Sequence, residues 1–180
     1  MPPDPRRIAF APVMPEHYPL LAAWLEAPHW REWWGDPVEE LGFIRDMVEG
    51  RDTTRPFLIL LDGRPVGYIQ VWFVGHHQNE GWTKDHPWLA ALPARAVGVD
   101  LSIGAEGDLS RGIGSAALGA FVARLRAEGH DTIIIDPDPA NARAVRAYGK
   151  AGFRPIPALL GRTGEGVLIL QHDPKANEIS

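Results

Sequence analysis

The chain of 180 residues contains no cysteine. This absence excludes disulfide bonds, cysteine-ligated zinc sites and catalysis by a thiol nucleophile. Long hydrophobic runs are missing too, since no segment approaches the roughly 20 apolar residues that span a bilayer. The N-terminal stretch MPPDPRRIAF lacks the apolar core of a secretory signal. We therefore expect a cytoplasmic protein with no membrane partner.

An excess of basic charge is also lacking, because 18 Lys and Arg stand against 23 Asp and Glu, for a net charge of −5. Nucleic-acid binding requires a basic surface, so we expect no nucleic-acid partner. An acidic balance suits a cationic partner better. The seven histidines are scattered apart from His76, His77 and His86, and none has the spacing of a known zinc motif. We expect no metal cofactor.

The residues that are present, 45% apolar and 23% charged, make an ordinary globular mixture and fit one domain over 1–180. Apolar periodicity and turn residues predict strands and helices in the order β-α-α-β-β-β-α-β-α-β-β, which indicates an α+β fold. The strands are expected at 6–12, 56–61, 65–74, 95–103, 131–138, 153–160 and 165–172, and the helices at 15–27, 38–49, 112–128 and 140–151. We expect loops at 29–37 (HWREWWGDP) and 76–94.

A glycine-rich loop enters the third predicted helix in the segment GDLSRGIGSAALGAFVARL. Glycines are poor helix formers, so Gly112 and Gly114 need another reason to stand at a helix start. Without a Cβ they let backbone N–H groups approach an anion at the positive end of the helix. Arg111 adds a charge, and Ser110 and Ser115 add hydroxyls. The alternative is a plain glycine-rich helix entry, since neither a Walker loop nor a GxGxxG motif is present.

Asp100 is a charged residue inside the predicted strand AVGVDLSI. Burying a carboxylate costs several kcal/mol, on the order of 3 to 5, unless it is paired. A cationic amine would pair it, whereas an outward-facing strand position would need no partner.

Seven tryptophans are a high number for 180 residues. We expect Trp24 in the core, whereas Trp30, Trp33, Trp34, Trp82 and Trp88 are expected in loops. A large apolar ring in a loop is explained either by a ligand wall or by a small cluster beneath the loop.

Two motifs at a matching separation resemble the GCN5-related N-acetyltransferase (GNAT) superfamily. The first is the loop Leu109-x-x-Gly112-x-Gly114, which has Leu109 where the family has Gln or Arg. The second is the helix DPDPANARAVRAYGKAGF, whose family positions are Asn141, Ala144, Tyr148, Gly152 and Phe153. The resemblance implies a central mixed, mostly antiparallel twisted sheet of about six or seven strands, flanked by about four helices.

Within that superfamily, the segments AAWLEAPHWREWWGDP, GRPVGYIQVWFV, NEGW and AVGVDLSIG are similar to the aminoglycoside 6′-N-acetyltransferases and follow in the same order. The similarity runs from about residue 8 to residue 170 and is least at 83–94. It implies that the chain transfers the acetyl group of acetyl-CoA to a primary amine of a small cationic molecule, with the 6′-amine of an aminoglycoside antibiotic as the leading substrate, by direct attack in a ternary complex. The sequence leaves the oligomeric state open between a monomer and a homodimer.

The resemblance also implies roles for single residues. Tyr148 is expected to be the general acid for the CoA thiolate, and Asp100 is expected to hold the amine and relay its proton. The implied acetyl-CoA contacts are Leu101, Ser102, Ile103, Arg111, Gly112, Ile113, Gly114, Ser115, Asn141 and Ala144. The implied substrate contacts are Trp34, Glu80, Trp82, Asp100 and Asp136, with the three acids forming a pocket for a polycation. We expect Asp138 to cap the following helix.

Two alternatives remain open. The same chemistry could serve a siderophore precursor or another polyamine, since His76, His77 and His86 lie in the substrate region. The second alternative is of another class: the protein could be a catalytically silent acyl-CoA-binding module. The presence of both Tyr148 and the glycine pair disfavours this alternative.

Overall fold

The computed structural model describes residues 1–176 and contains, within that range, seven β-strands and six α-helices. None of these helices is both long and apolar enough to cross a bilayer. The strands are β1 (Ile8–Pro12), β2 (Arg55–Leu61), β3 (Arg64–Phe73), β4 (Val97–Ile103), β5 (Ile133–Ile135), β6 (Phe153–Pro155) and β7 (Leu170–His172). The helices are α1 (Tyr18–Leu25), α2 (Pro28–Trp34), α3 (Pro37–Val48), α4 (Val74–Asn79), α5 (Ile113–Ala127) and α6 (Ala142–Lys150).

The strands form one sheet in the order β1-β2-β3-β4-β5-β7-β6. β1 with β2, β2 with β3, β5 with β7 and β6 with β7 pair antiparallel, whereas β4 and β5 pair parallel. The predicted mixed, mostly antiparallel sheet is therefore confirmed. The hairpin between β2 and β3 turns at Asp62 and Gly63, which both have positive φ, as a two-residue hairpin turn of this hand requires.

Both segments expected as loops contain helix, so the structure has six α-helices rather than about four. Residues 29–37 include most of α2, which begins at Pro28, where a missing backbone N–H is tolerated, and ends before Gly35 at φ 103°. Residues 76–94 include most of α4 and two 3-10 turns, Trp82–Lys84 and Pro87–Ala91. These elements are too short for apolar periodicity to reveal them.

The burial of the tryptophans decides between the two explanations offered for those expected in loops. Trp30 is fully buried and Trp88 is 7% exposed, so both pack in apolar clusters and neither forms a ligand wall. Trp24 is buried as predicted. The strand expected at 131–138 is confined to β5, and the last two strands are three residues each.

The chain divides into two compact units. The first comprises residues 1–71 and 101–117, and its core gathers Trp24, Trp30 and Tyr68 with aliphatic side chains of α1 and α3. The rings of Trp24 and Trp30 stack with centroids 6.4 Å apart. Burial of these large rings supplies much of the hydrophobic stabilisation of this unit.

The second unit comprises residues 72–100 and the chain from 118 onward. Its core contains Trp72, Trp88 and Ile134, together with Leu89, Leu159 and other apolar residues. Gly98 of β4 lies directly beneath the Trp72 indole, where a Cβ would overlap the ring. Glycine is therefore required at this position for the tryptophan to pack on the sheet.

A buried ion pair holds the glycine-rich loop in the first unit. Asp108 is 6% exposed and accepts hydrogen bonds from Arg64 at 3.0 and 3.2 Å and from Arg111 at 3.2 Å. Hydrogen bonds from Arg64 are the main reason that the pKa of Asp108 lies below its usual value, and the charge of Arg111 adds to the effect. The loop is thus fixed to β3 by a charge-assisted contact.

We predict that Asp108→Asn lowers the free energy of unfolding at neutral pH by about 1–2 kcal/mol. The expected loss of unfolding free energy is modest because the side chains of Arg64 and Arg111 are 58% and 64% exposed. The depressed pKa means that the stabilisation is present above the unfolded-state pKa of about 3.9 and is lost as pH falls through the lower folded-state value. Urea unfolding from pH 7 downward should therefore show the difference shrinking below about pH 4.

Asp62→Asn is the matched control, because Asp62 also pairs with an arginine, Arg7, but on the surface. We expect a much smaller loss for this variant. An Asp108→Asn variant that matches the wild type at pH 7 would show that the buried pair does not stabilise the loop.

Candidate active site

Two carboxyl groups are neighbours where the carboxyl end of β5 lies beside the middle of β4. The parallel pairing joins Val97 to Ile133 and Gly98 to Ile134. Continued by two residues, this register sets Asp100 opposite Asp136, which directly follows β5. Burial is the main cause that raises the pKa of Asp136 well above its usual value, and the charge of Asp100 and hydrogen bonding with its side chain add to the effect.

Tyr148 on α6 is the third member of this cluster. Its side chain is partly buried, and burial is the main cause that raises the pKa of its phenol. The charges of Asp100 and Asp136 raise it further, because a second negative charge beside them is unfavourable. Tyr148 therefore keeps its proton at neutral pH and can act as a proton donor.

The start of α6 corrects the expectation for Asp138. Asn141 is the residue that caps this helix, since its Oδ1 accepts a hydrogen bond from the backbone N–H of Ala144 at 3.1 Å. Asp138 instead accepts from the Ala140 N–H at 2.8 Å, which forms a turn just before the helix. Capping explains an asparagine at position 141 through its carbonyl oxygen and leaves its amide group for any ligand contact.

Gly112 directly precedes α5 and Gly114 is its second residue, and the structure requires glycine at only one of these positions. Gly112 has φ 76°, and a Cβ there would lie 2.8 Å from the Cβ of Pro2. At Gly114 the nearest atom to an added Cβ is 3.9 Å away, on Ile103. Neither backbone conformation nor internal packing therefore requires glycine at 114. A close approach by a ligand would explain it.

Several other residues predicted to contact acetyl-CoA are occupied within the chain. The Ser115 hydroxyl donates to the Gly112 carbonyl at 3.1 Å, Arg111 pairs with Asp108, and the Ile113 side chain is buried. Ile113 could therefore offer a ligand only its backbone. Leu101, Ser102 and Ala144 are partly exposed, and their contacts with acetyl-CoA stay predictions.

The carbonyl of Ile103 at the end of β4 has two side-chain neighbours on α2. Trp30 donates its indole N–H to this oxygen at 2.9 Å, and His29 Nε2 lies 2.8 Å from it. Helix α2, which the sequence analysis did not predict, thus anchors the end of β4, the strand that precedes the glycine-rich loop. Neither residue was predicted, because more than 70 positions separate them from Ile103.

The two tryptophans predicted as substrate walls have different surroundings. Trp34 is partly buried and packs on Trp30 and Tyr68, with ring centroids 5.1 and 5.7 Å apart. Trp82 is 50% exposed and lies between His77 at 4.8 Å and His86 at 5.9 Å. Core packing accounts for Trp34, whereas the open face of Trp82 is free to contact a ligand.

Glu80, the third acid of the expected pocket, is exposed and ends α4. The structure brings together Asp100, Asp136 and Tyr148, and the place of Glu80 in the acidic pocket stays a prediction. The described residues contain no group of three or more His, Asp or Glu arranged to hold a metal ion.

The cluster provides the chemistry of proton transfer next to a cation site. A carboxyl pair can hold an ammonium group and accept its proton, and a neutral phenol can return a proton to a leaving group. Together these functions suit acyl transfer to an amine.

Comparison with known protein families matches residues 13–159 to the acetyltransferase (GNAT) domain. Aminoglycoside N(6′)-acetyltransferase type 1 of Klebsiella pneumoniae is 30% identical over 168 residues, which cover 88% of this chain and 80% of that protein. The protein of the same name from Serratia marcescens gives the same values.

Solved structures share the fold. AAC(6′)-Ib in complex with acetyl-CoA superposes with a TM-score of 0.76 at 24% identity, covering 96% of this chain and 97% of that chain. AAC(6′)-Ib in complex with coenzyme A and kanamycin superposes with a TM-score of 0.76 at 24% identity, covering 95% of this chain and 97% of that chain. Because the GNAT domain match spans most of the chain, the protein belongs to the GNAT acetyltransferase family.

Proposed function

We propose that the protein transfers the acetyl group of acetyl-CoA to the 6′-amine of an aminoglycoside. The observation that carries this proposal is the hydrogen-bonded pair Asp100–Asp136 beside a protonated Tyr148. Relatives named aminoglycoside N(6′)-acetyltransferase, at 30% identity over most of the chain, support the choice of substrate.

The residues at the starts of α5 and α6 are suited to bind acetyl-CoA. Gly114 opens the 15-residue helix α5 with space where a side chain would be, so backbone N–H groups at the helix start are accessible to a pyrophosphate. Arg111 lies in the same loop and adds a positive charge. Asn141 can use its side-chain amide to bond the pantetheine arm. When bound, acetyl-CoA supplies a thioester carbonyl as the acyl donor.

The mechanism follows from the cluster. Asp100 holds the substrate ammonium group and accepts one of its protons, which leaves a neutral amine as the nucleophile. Tyr148 donates its hydroxyl proton to the departing sulfur and regains a proton from the acetylated nitrogen. Its raised pKa makes Tyr148 a weak acid, so the proton moves only as negative charge develops on the sulfur. A chain without cysteine forms no cysteinyl intermediate, which favours direct transfer.

Trp82, Glu80 and Trp34 are the further residues that we propose for substrate selection. The exposed ring of Trp82 can cover a sugar face, and Glu80 adds a negative charge near it in sequence. Trp34, packed in the core, would contact substrate only with its exposed edge. We further propose that residues 1–180 act as one cytoplasmic acetyltransferase domain, because the GNAT match at 13–159 runs through both compact units. The last four of these residues lie outside the described range.

The purified protein should release thiol from acetyl-CoA in the presence of kanamycin or tobramycin. Because the amine is the nucleophile, a matched aminoglycoside with a 6′-hydroxyl should give no release above background. A lysine-type hydroxamate precursor, tested side by side, represents the alternative substrate class. Release with that precursor alone would move the proposal to siderophore acylation, and tight acetyl-CoA binding without any release would favour the silent module.

Gly114→Ala should weaken acetyl-CoA binding by at least about tenfold, or about 1.4 kcal/mol, because a methyl group would occupy the approach path of the phosphate. The same change should raise the free energy of unfolding by about 0.5–1 kcal/mol, since alanine favours the helix. Calorimetric titration and urea unfolding measure the two effects.

Gly119→Ala is the matched control, because Gly119 lies in the same helix with open space around it. It should stabilise the protein without changing acetyl-CoA affinity. Equal affinities of Gly114→Ala and the wild type would refute the pyrophosphate role of this loop.

Tyr148→Phe should lower kcat by about 100-fold or more while leaving acetyl-CoA affinity nearly unchanged, because only the proton donor is lost. Tyr18→Phe serves as control, since the Tyr18 hydroxyl is buried and has no hydrogen-bond partner. Steady-state kinetics with kanamycin measure both variants. A Tyr148→Phe enzyme as fast as the wild type would remove Tyr148 from the mechanism.

A further inference from the structure

The contact between Asp100 and Asp136 limits the number of protons they carry. The parallel register of β4 and β5, continued by two residues, sets Asp100 opposite Asp136, so the backbone holds the two carboxyl groups as neighbours. Neighbouring carboxylates repel each other when both are ionised, and a proton held between them removes this repulsion.

The surroundings of the pair also oppose a second negative charge. Asp136 is only partly exposed to solvent, and burial is the largest influence on its ionisation. The titratable groups that act within the cluster are Asp100 from β4, Asp136 after β5 and Tyr148 from α6. Only a backbone N–H of Asp136 itself works in the opposite direction. Burial and the charge of Asp100 both raise the pKa of Asp136, so the surroundings favour one proton on the pair.

We propose that Asp100 and Asp136 share one proton in the free protein, and that the cationic amine of the substrate displaces this proton as it binds. The proposal rests on the proposed function, because it requires an amine at this pair. An ammonium group placed between the carboxyls replaces the shared proton as the positive charge, and the proton leaves to solvent. Both carboxylates are then ionised and held by the substrate.

The displaced proton has a defined place in the reaction. The substrate nitrogen arrives as an ammonium group with three hydrogens and leaves as an amide with one. One of the two lost protons returns to the carboxyl pair, and the other replaces the proton that Tyr148 gives to the sulfur. The pair thus ends each cycle with its proton restored, and the net reaction releases the single proton that left at binding.

The shared proton can be tested without substrate. Infrared difference spectra of the wild type and Asp136→Asn at pH 7 should show the C=O stretch of a protonated carboxyl in the wild type that the variant lacks. Asparagine is neutral and similar in shape to the protonated residue, so we expect the variant to fold. Asp100→Asn is a second variant, because removal of the hydrogen-bond partner should shift the same band.

The displacement can be tested by calorimetric titration of kanamycin in buffers of different ionisation enthalpy. The wild type should release about one proton more per bound kanamycin than Asp136→Asn does. Asp138→Asn, which removes a carboxylate two residues away, should match the wild type. A residue with only a structural role would alter stability or affinity and would leave the proton count unchanged.

The possible results separate the claims. Absence of a protonated-carboxyl band in the wild type overturns the shared proton. A band with equal proton release from wild type and Asp136→Asn overturns the displacement. If the band is present and kanamycin neither binds nor reacts, the shared proton is supported and the aminoglycoside assignment fails.

Discussion

The parallel pairing of β4 with β5 is the constraint on which the candidate site depends. Parallel neighbours cannot be joined by a tight turn, so the chain must cross over between them. That crossover contains the glycine loop and α5. The same pairing fixes the register that sets Asp100 opposite Asp136. Since α6 follows β5 directly, Tyr148 comes to the same pair of carboxyls.

The neighbouring carboxyl groups of Asp100 and Asp136 destabilise the folded protein, so folding does not explain them, whereas a role in proton transfer would. Asp100 raises the pKa of Asp136, and both acids raise the pKa of the Tyr148 phenol, so the cluster contributes repulsion to the folded state. The buried carboxylate of Asp108 differs from this pair, because two arginines neutralise its charge. Because the fold neutralises Asp108 and leaves Asp100 and Asp136 side by side without an arginine among the groups that shift the Asp136 pKa, we propose the second place as the site for an incoming cation.

Local signals in the sequence account for most of the elements. The Asp62-Gly63 turn was predictable because its two positive φ angles select those residues. The long helices α3 and α5 were within a few residues of their predicted bounds, since several turns of apolar periodicity define them. The short helices α2 and α4 were missed, because seven and six residues carry too little periodicity and depend on the packing of Trp30 and Val74.

The sequence alone determined the strand order along the chain, the glycine-rich entry to α5, the helix that contains Tyr148 and the absence of a thiol. These features depend on residue type and short-range spacing. The resemblance implied that Asp100 and Asp136 share a pocket, whereas only the tertiary structure sets the strand register that places them opposite each other. Tertiary structure alone decided that Arg64 pairs with Asp108 across 44 positions. It also decided that Trp34 packs in a core while Trp82 stays exposed. Such contacts depend on which strands become neighbours, and that is set by the packing of the whole sheet.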